Sequence, residues 1–237
     1  MAFKLTVSKK KDALKESTGS SFIGASGIYD VKVNFVSLDQ SAKGAVSFNM
    51  NLDYNGNSQT IYGSTVQNID ESTNEIGARL LNKLLVIAGM EEGQEPAMEE
   101  EVHNVGKDNK PQEFMCLTDL ADLEFKIQVK QEFTKYEGKI RESMVPYNFF
   151  SAAGATADEL TQKEEDDQIV LGAQLEKILG KEATTAPFYK ANKKANEAAP
   201  TEEEVAAWIA AKKANKNGKA PAPKTAGTGA SKFAKFK

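Results

Sequence analysis

The stretch Leu123-Glu-Phe-Lys-Ile-Gln-Val-Lys-Gln-Glu-Phe133, continued by Tyr136-Glu-Gly138-Lys-Ile-Arg141, decides the fold class. Leu123, Phe125, Ile127, Val129 and, after polar Gln131, Phe133 fall on one face. Glu124, Lys126, Gln128, Lys130 and Glu132 fall on the other. A two-residue period describes a half-buried strand, because successive side chains point to opposite faces. A second alternating run follows the turn at Gly138. The exposed face is polar and partly basic and holds no catalytic set.

The same pattern recurs upstream. Tyr29, Val31, Val33 and Phe35 alternate in one run, and Val46, Phe48, Met50, Leu52 and Tyr54 in the next. Asn55-Gly56 is a hairpin signal, because both turn positions favour residues that tolerate positive φ. Thr60-Ile-Tyr62 reads as the returning strand of a three-stranded meander. Ser72 and Glu75 have capping-box spacing. Ile76, Leu80, Leu84 and Ile87 follow at helical spacing, with Gly89 as a C-terminal stop. Residues 91–112 read as a long acidic loop. Phe114-Met-Cys-Leu117 reads as a short buried segment, and Pro146 as a residue of an edge or strand end.

These elements predict a mainly β domain over residues 22–150, a five-stranded antiparallel barrel of the oligonucleotide-binding (OB) type with one packed helix. A sandwich has the same strand content. Residues 1–21 read as a flexible basic arm. Residues 151–214 read as a linker with short helices, one near Gln168–Leu179 and one capped by Thr201 and Glu204. Residues 215–237 are too poor in apolar residues to pack and read as a disordered basic tail.

Composition sets outer limits. The chain has 237 residues, 40% apolar and 27% charged, as in ordinary globular proteins. The absence of a long apolar run predicts no membrane span, and the N-terminus does not read as a signal peptide. The net charge of −4 hides a segregation. Lys212 to Lys237 carries eight lysines and no acid, and the rest carries 22 basic against 34 acidic residues. Glu91–Glu101 and Asp158–Asp167 hold most of that excess. Such sign segregation fits segments that engage partners, and equally acidic loops that only aid solubility.

Few residues of the chain carry reactive chemistry. His103, the one histidine, lies in the expected loop and reads as a surface residue. Cys116, the one cysteine, excludes an internal disulfide, fits a reducing compartment and reads as a buried inert thiol. The acidic clusters lack the order of a calcium loop, and no phosphate loop or dinucleotide fingerprint occurs. The expectation is no enzyme, no metal and no cofactor. Binding is the positive signal. Tyr62, Tyr136 and Tyr147 are candidate base stackers, with Phe149 or Phe150 behind them. Lys32, Lys126, Lys130, Lys135, Lys139 and Arg141 are candidate phosphate contacts.

Gly27-Ile-Tyr-Asp-Val-Lys-Val33, the helix from Ser72 to Gly89, and Val129-Lys-Gln-Glu-Phe-Thr-Lys-Tyr-Glu-Gly-Lys139 leading to Val145-Pro-Tyr-Asn-Phe-Phe150 carry a resemblance. Over residues 22–150 the chain resembles the single-stranded DNA-binding proteins of tailed bacteriophages. That resemblance implies a protein that coats single strands in replication and recombination, in the cytoplasm of an infected bacterium. It also implies a C-terminal tail that recruits phage replication proteins or an RNA polymerase. One departure stands out. Many such proteins end in an acidic tail, whereas this chain ends in Ser231-Lys-Phe-Ala-Lys-Phe-Lys237. Lys232, Phe233, Lys235, Phe236 and Lys237 are therefore candidates for a further DNA contact or for docking on an acidic partner. A different class, a phage decoration or scaffold protein, also fits strand-rich domains with long tails. So does, more remotely, an enzyme using acidic-loop metal binding.

Overall fold

The alternating run at 123–133 lies in the sixth of eight strands in a computed structural model, which describes residues 22–106, 108–193 and 195–216. The strands are β1 (Gly27–Gln40), β2 (Val46–Tyr54), β3 (Asn57–Gln67), β4 (Met98–Val105), β5 (Lys110–Leu117), β6 (Glu124–Tyr136), β7 (Lys139–Ser151) and β8 (Phe188–Lys190). Helices α1 (Glu75–Ile87), α2 (Ala157–Glu165), α3 (Ala173–Ile178), α4 (Glu182–Thr185) and α5 (Glu202–Lys216) complete the fold. The basic arm and residues 217–237 of the expected tail lie outside the described residues, whereas Asn215 and Lys216, expected in that tail, end α5.

β1 is the hub because it is long enough to serve two neighbours along one edge. Its first half pairs antiparallel with β6, from Gly27 opposite Val129 to Lys32 opposite Glu124. Further along, Ser37 pairs with Cys116 of β5. Its other edge carries β2, which pairs with β3. β7 pairs with β6, so one path runs β3-β2-β1-β6-β7. β3 and β7 pass close to one another, yet among the described residues no ladder joins them. The sheet is mainly antiparallel and not closed.

Turn chemistry sets the registers. Asn55 and Gly56 both take positive φ, and the Asp53 carboxylate accepts from the Gly56 N–H at 2.9 Å. Tyr54 therefore faces Asn57 across a two-residue turn. Glu137 and Gly138 repeat the device between β6 and β7, where Tyr136 faces Lys139. Pro146 sits inside β7 rather than at its end. Among the described residues β7 has no ladder on its far side, so it is an edge strand, as expected, where the missing N–H leaves no partner unpaired.

Val31, Val33, Val36, Leu38, Phe48, Met50, Leu52, Ile61, Phe125, Ile127, Val129 and Phe149 form the core. Phe35, expected on this face, is buried elsewhere. Register shifts between Val33 and Phe35, so a bulge turns Phe35 to the opposite face and brings Val36 and Leu38 inward.

Helix α1 closes the core with Leu84, but its N-terminus differs from the expected capping box. Asn74 is the cap, accepting from the Gly77 N–H at 3.2 Å. Ser72 instead donates to Asp70 at 2.6 Å. Ile76, expected on the buried face, is exposed because Gly77 is the residue pressed onto β3. The C-terminus follows expectation. Gly89 takes φ +83°, its N–H reaches the Val86 carbonyl at 2.9 Å, and the Met90 N–H reaches Leu85 at 3.2 Å, a Schellman pair.

The acidic stretch expected as a loop over 91–112 is instead largely a β-hairpin. β4 and β5 pair from Met98 opposite Leu117 to Val105 opposite Lys110, and β1 templates β5. Backbone pairing overrides the weak β preference of the glutamates there.

Beyond Ser151 the chain packs onto the domain. Leu175 is buried against Gly154. β8 pairs parallel with β6 through Tyr189 opposite Phe133, and both Tyr189 and Trp208 lie against the Phe133 ring. The expected Thr201–Glu204 capping box of α5 is present, with bonds of 2.8 and 3.2 Å. Buried Glu159 accepts from the N–H groups of Thr156, Gln174 and Gly172, tying α2 to α3. Burial raises its carboxyl, but these bonds outweigh burial and leave its pKa below the ordinary value. A depressed folded pKa adds stability that is full above the ordinary carboxylate range and lost as pH falls through it. Glu159→Gln is accordingly expected to cost about 1–3 kcal/mol near neutrality and to flatten the acid limb, read by urea unfolding across pH.

Candidate nucleic-acid interface

The β6–β7 ribbon sorts the predicted binding residues by face. Even-numbered residues of β6 share the face opposite Phe125, Ile127 and Phe133, and directly paired residues across two strands share a face. Lys130 pairs with Val145, Thr134 with Arg141, and Tyr136 with Lys139. Tyr147 is the extra residue where register shifts between Gln128 and Val129. Its ring lies 4.5 Å from the Lys130 ammonium, which places it on the same face. Arg141 lies 4.2 Å from the Tyr136 ring centroid.

Two cation–tyrosine pairs thus stand on one surface, with Lys139 exposed at the turn between them and solvent. Tyr136 is 39% exposed and Tyr147 61%, large values for aromatic rings with a partner on one side. The rings are held by the cations yet remain open to a planar ligand. Glu197 accepts from the Gly138 N–H at 2.7 Å, so the C-terminal segment braces the hairpin tip.

The other predicted residues are placed differently. Lys126 shares the face but is paired with Asp30. Lys32 is paired with Asp122 at 2.8 Å, and that bond raises its ammonium pKa. Lys135 is odd-numbered, lies on the Phe133 side and binds Glu204 of α5 at 2.7 Å. Tyr62 is 71% exposed on β3 opposite Asn49 and takes part in neither cation–ring pair. Phe149 and Phe150 are fully buried. The tail residues Lys232, Phe233, Lys235, Phe236 and Lys237 lie outside the described residues.

A second group, on the outer face of β1, β5 and β4, was not expected to assemble. His103 is on β4, not in a loop, and its ring stacks on Phe35 with centroids 3.9 Å apart and planes 9° from parallel. Its Nε2 lies 2.6 Å from a Glu101 carboxylate oxygen. Ligand atoms of Glu101, His103 and Cys116 all lie within 4.8 Å of one another. Burial first, then the Glu101 charge and hydrogen bond and the Asp39 charge, push the Cys116 thiol up to about 12. The thiol thus stays protonated near neutral pH and is a poor nucleophile. The sequence holds one signal for this group, Glu101 and His103 two residues apart, which a strand would place on one face.

No family model matches the chain. No curated protein matches it either. Among solved structures it is similar to yeast RPA bound to ssDNA, at 13% identity over 68% of this chain and 98% of that one, with a TM-score of 0.23. An alignment that loose does not define a shared fold. Among the described residues, no helix is long and apolar enough to cross a membrane.

Proposed function

We propose that this chain binds single-stranded DNA without sequence preference and without catalysing a reaction. The supporting observation is the β6–β7 face, where Lys130–Tyr147, Arg141–Tyr136 and Lys139 alternate cations with exposed rings. Single strands are held by such alternation, rings stacking on bases and cations meeting phosphates. The path β3-β2-β1-β6-β7, with a helix after the third strand, supports an OB-like barrel whose last seam is unzipped. In that fold the loop between the last two strands borders the binding surface. Here that loop is Glu137–Gly138. The β4–β5 hairpin is then an insertion. In this reading the protein coats strands in phage replication and recombination, and its basic tail recruits a replication protein or an RNA polymerase.

The test is fluorescence anisotropy with labelled oligo-dT against the matching duplex over a salt series. It compares the full chain with one ending at Lys216, which keeps α5. Salt-sensitive binding to the single strand by both chains supports the reading and leaves the tail to recruitment. Binding lost with the tail moves the site to residues 217–237. No binding at low salt rejects it and favours the phage assembly role.

A further inference from the structure

The chain has one histidine and one cysteine in 237 residues. The fold brings both to the same spot, with a carboxylate between them. Register explains how. Glu99 faces Cys116 and Glu101 faces Phe114, so Glu101 and Cys116 are diagonal neighbours on one face. His103 follows Glu101 by two residues on that face. Ser37 opposite Cys116 joins β1 to the group, and Asp39 two residues on adds a further carboxylate, which accepts from Asn49 and Ser37.

We propose that Glu101, His103 and Cys116 form a divalent metal site of the zinc class. Thiolate, imidazole and carboxylate together are the donor set that zinc accepts, and three protein ligands leave a fourth position for water. Cys116 is buried, while the Glu101 and His103 side chains keep 35% and 27% of their exposure. The fourth position therefore opens toward solvent. Phe35 fixes the imidazole plane, which limits the ordering that binding requires. Two ligands about 2.1 Å from a tetrahedral ion lie about 3.4 Å apart. The His103–Glu101 pair, now at 2.6 Å, must open by less than ~1 Å. Binding exchanges the thiol proton for the ion: M²⁺ adds, and H⁺ leaves to solvent. The ion would staple the β4–β5 hairpin through its two strands beside β1. The site is distant in sequence from the tyrosine pairs and does not rest on the DNA-binding reading.

The experiment uses untagged full-length protein, stripped with chelator and titrated with Co²⁺, then Zn²⁺. The expected result is one Co²⁺ per chain with a near-ultraviolet thiolate-to-cobalt charge-transfer band, bleached by Zn²⁺. Because Cys116 is the one thiol, the band reports this site alone. Zn²⁺ is expected to raise the thermal midpoint, since it binds the folded form. Cys116→Ser should abolish the band, and His103→Ala should weaken Co²⁺ binding at least about tenfold with an unchanged far-ultraviolet spectrum. A wild-type titration without the charge-transfer band would overturn the proposal. So would a band and affinity that survive His103→Ala. The wild-type titration decides even if Cys116→Ser does not fold.

Discussion

Replacing Tyr136 and Tyr147 together by alanine is expected to weaken oligo-dT binding at least about 30-fold, because each stacked base contributes ~1–3 kcal/mol. Both rings are on the outer face of one ribbon, so neither truncation opens the core. Lys139→Ala should weaken binding less, and should lower the slope of log K against log salt by about 0.7, as one released counterion on a single strand requires. Lys135→Ala supplies the contrast. That ammonium is engaged by Glu204 behind the sheet, so its loss should leave affinity within about twofold. Anisotropy titrations of the variants, each checked by circular dichroism, decide the matter. Equal losses from Lys135→Ala and Lys139→Ala would sink the assignment of the outer face. Full affinity in the double tyrosine variant would do the same.

The contrast between Lys135 and Lys139 shows which parts of the site were legible in the sequence. The period of two already placed Lys135 beside Phe133 and opposite Lys130, yet a list of basic residues on one strand ignores faces. The pairing of Tyr136 with Arg141 needed only the turn at Glu137–Gly138, which Gly138 announces. Tyr147 reaches Lys130 through a bulge, and nothing in the local sequence marks that extra residue. Phe35 shows the same limit: alternation placed it in the core, and a bulge at Val33/Phe35 sent it to His103.

Elements whose causes are local could be read in advance. The Asn55-Gly56 turn, the Gly89 stop of α1 and the Thr201–Glu204 box of α5 each depend on a few adjacent residues. The β4–β5 hairpin does not. Its glutamates give no apolar alternation, and its strands form because β1 offers a free edge next to Ser37. The meeting of His103 and Cys116 follows from that register, so a reading that sees a loop at 91–112 cannot find it. The docking of α5 was half legible. Val205 and Trp208 mark an apolar face, but the aromatic platform at Phe133 and Tyr189 comes from β6 and β8 together.

Gly63→Ala is expected to destabilise the protein by about 3 kcal/mol or more, at or above the usual range for overpacking. A Cβ built at Gly63 would stand 2.2 Å from the Phe48 carbonyl oxygen and 2.8 Å from the Phe48 ring. The oxygen belongs to the backbone of β2, and Phe48 is fully buried, so neither can swing away. Relief requires β3 to lift off β2 where Asn49 pairs with Tyr62, and with it the contact between β3 and α1. Alanine does narrow the unfolded ensemble, but that gain is only ~0.4–1 kcal/mol, so the clash dominates. Gly56→Ala is the control. Its added Cβ meets nothing within 4 Å, and its φ of +76° leaves backbone strain alone, about 1–2 kcal/mol. Denaturant unfolding should therefore rank Gly63→Ala well below Gly56→Ala, with the thermal midpoint of the former lowered by about 6–12 °C. Equal stability of the two variants would mean that β3 does not approach β2 as closely as this fold requires. Because Tyr62 adjoins Gly63, the same variant also asks whether β3 contributes to binding. Affinity for oligo-dT retained well below the lowered midpoint would confine the contact to the β6–β7 ribbon.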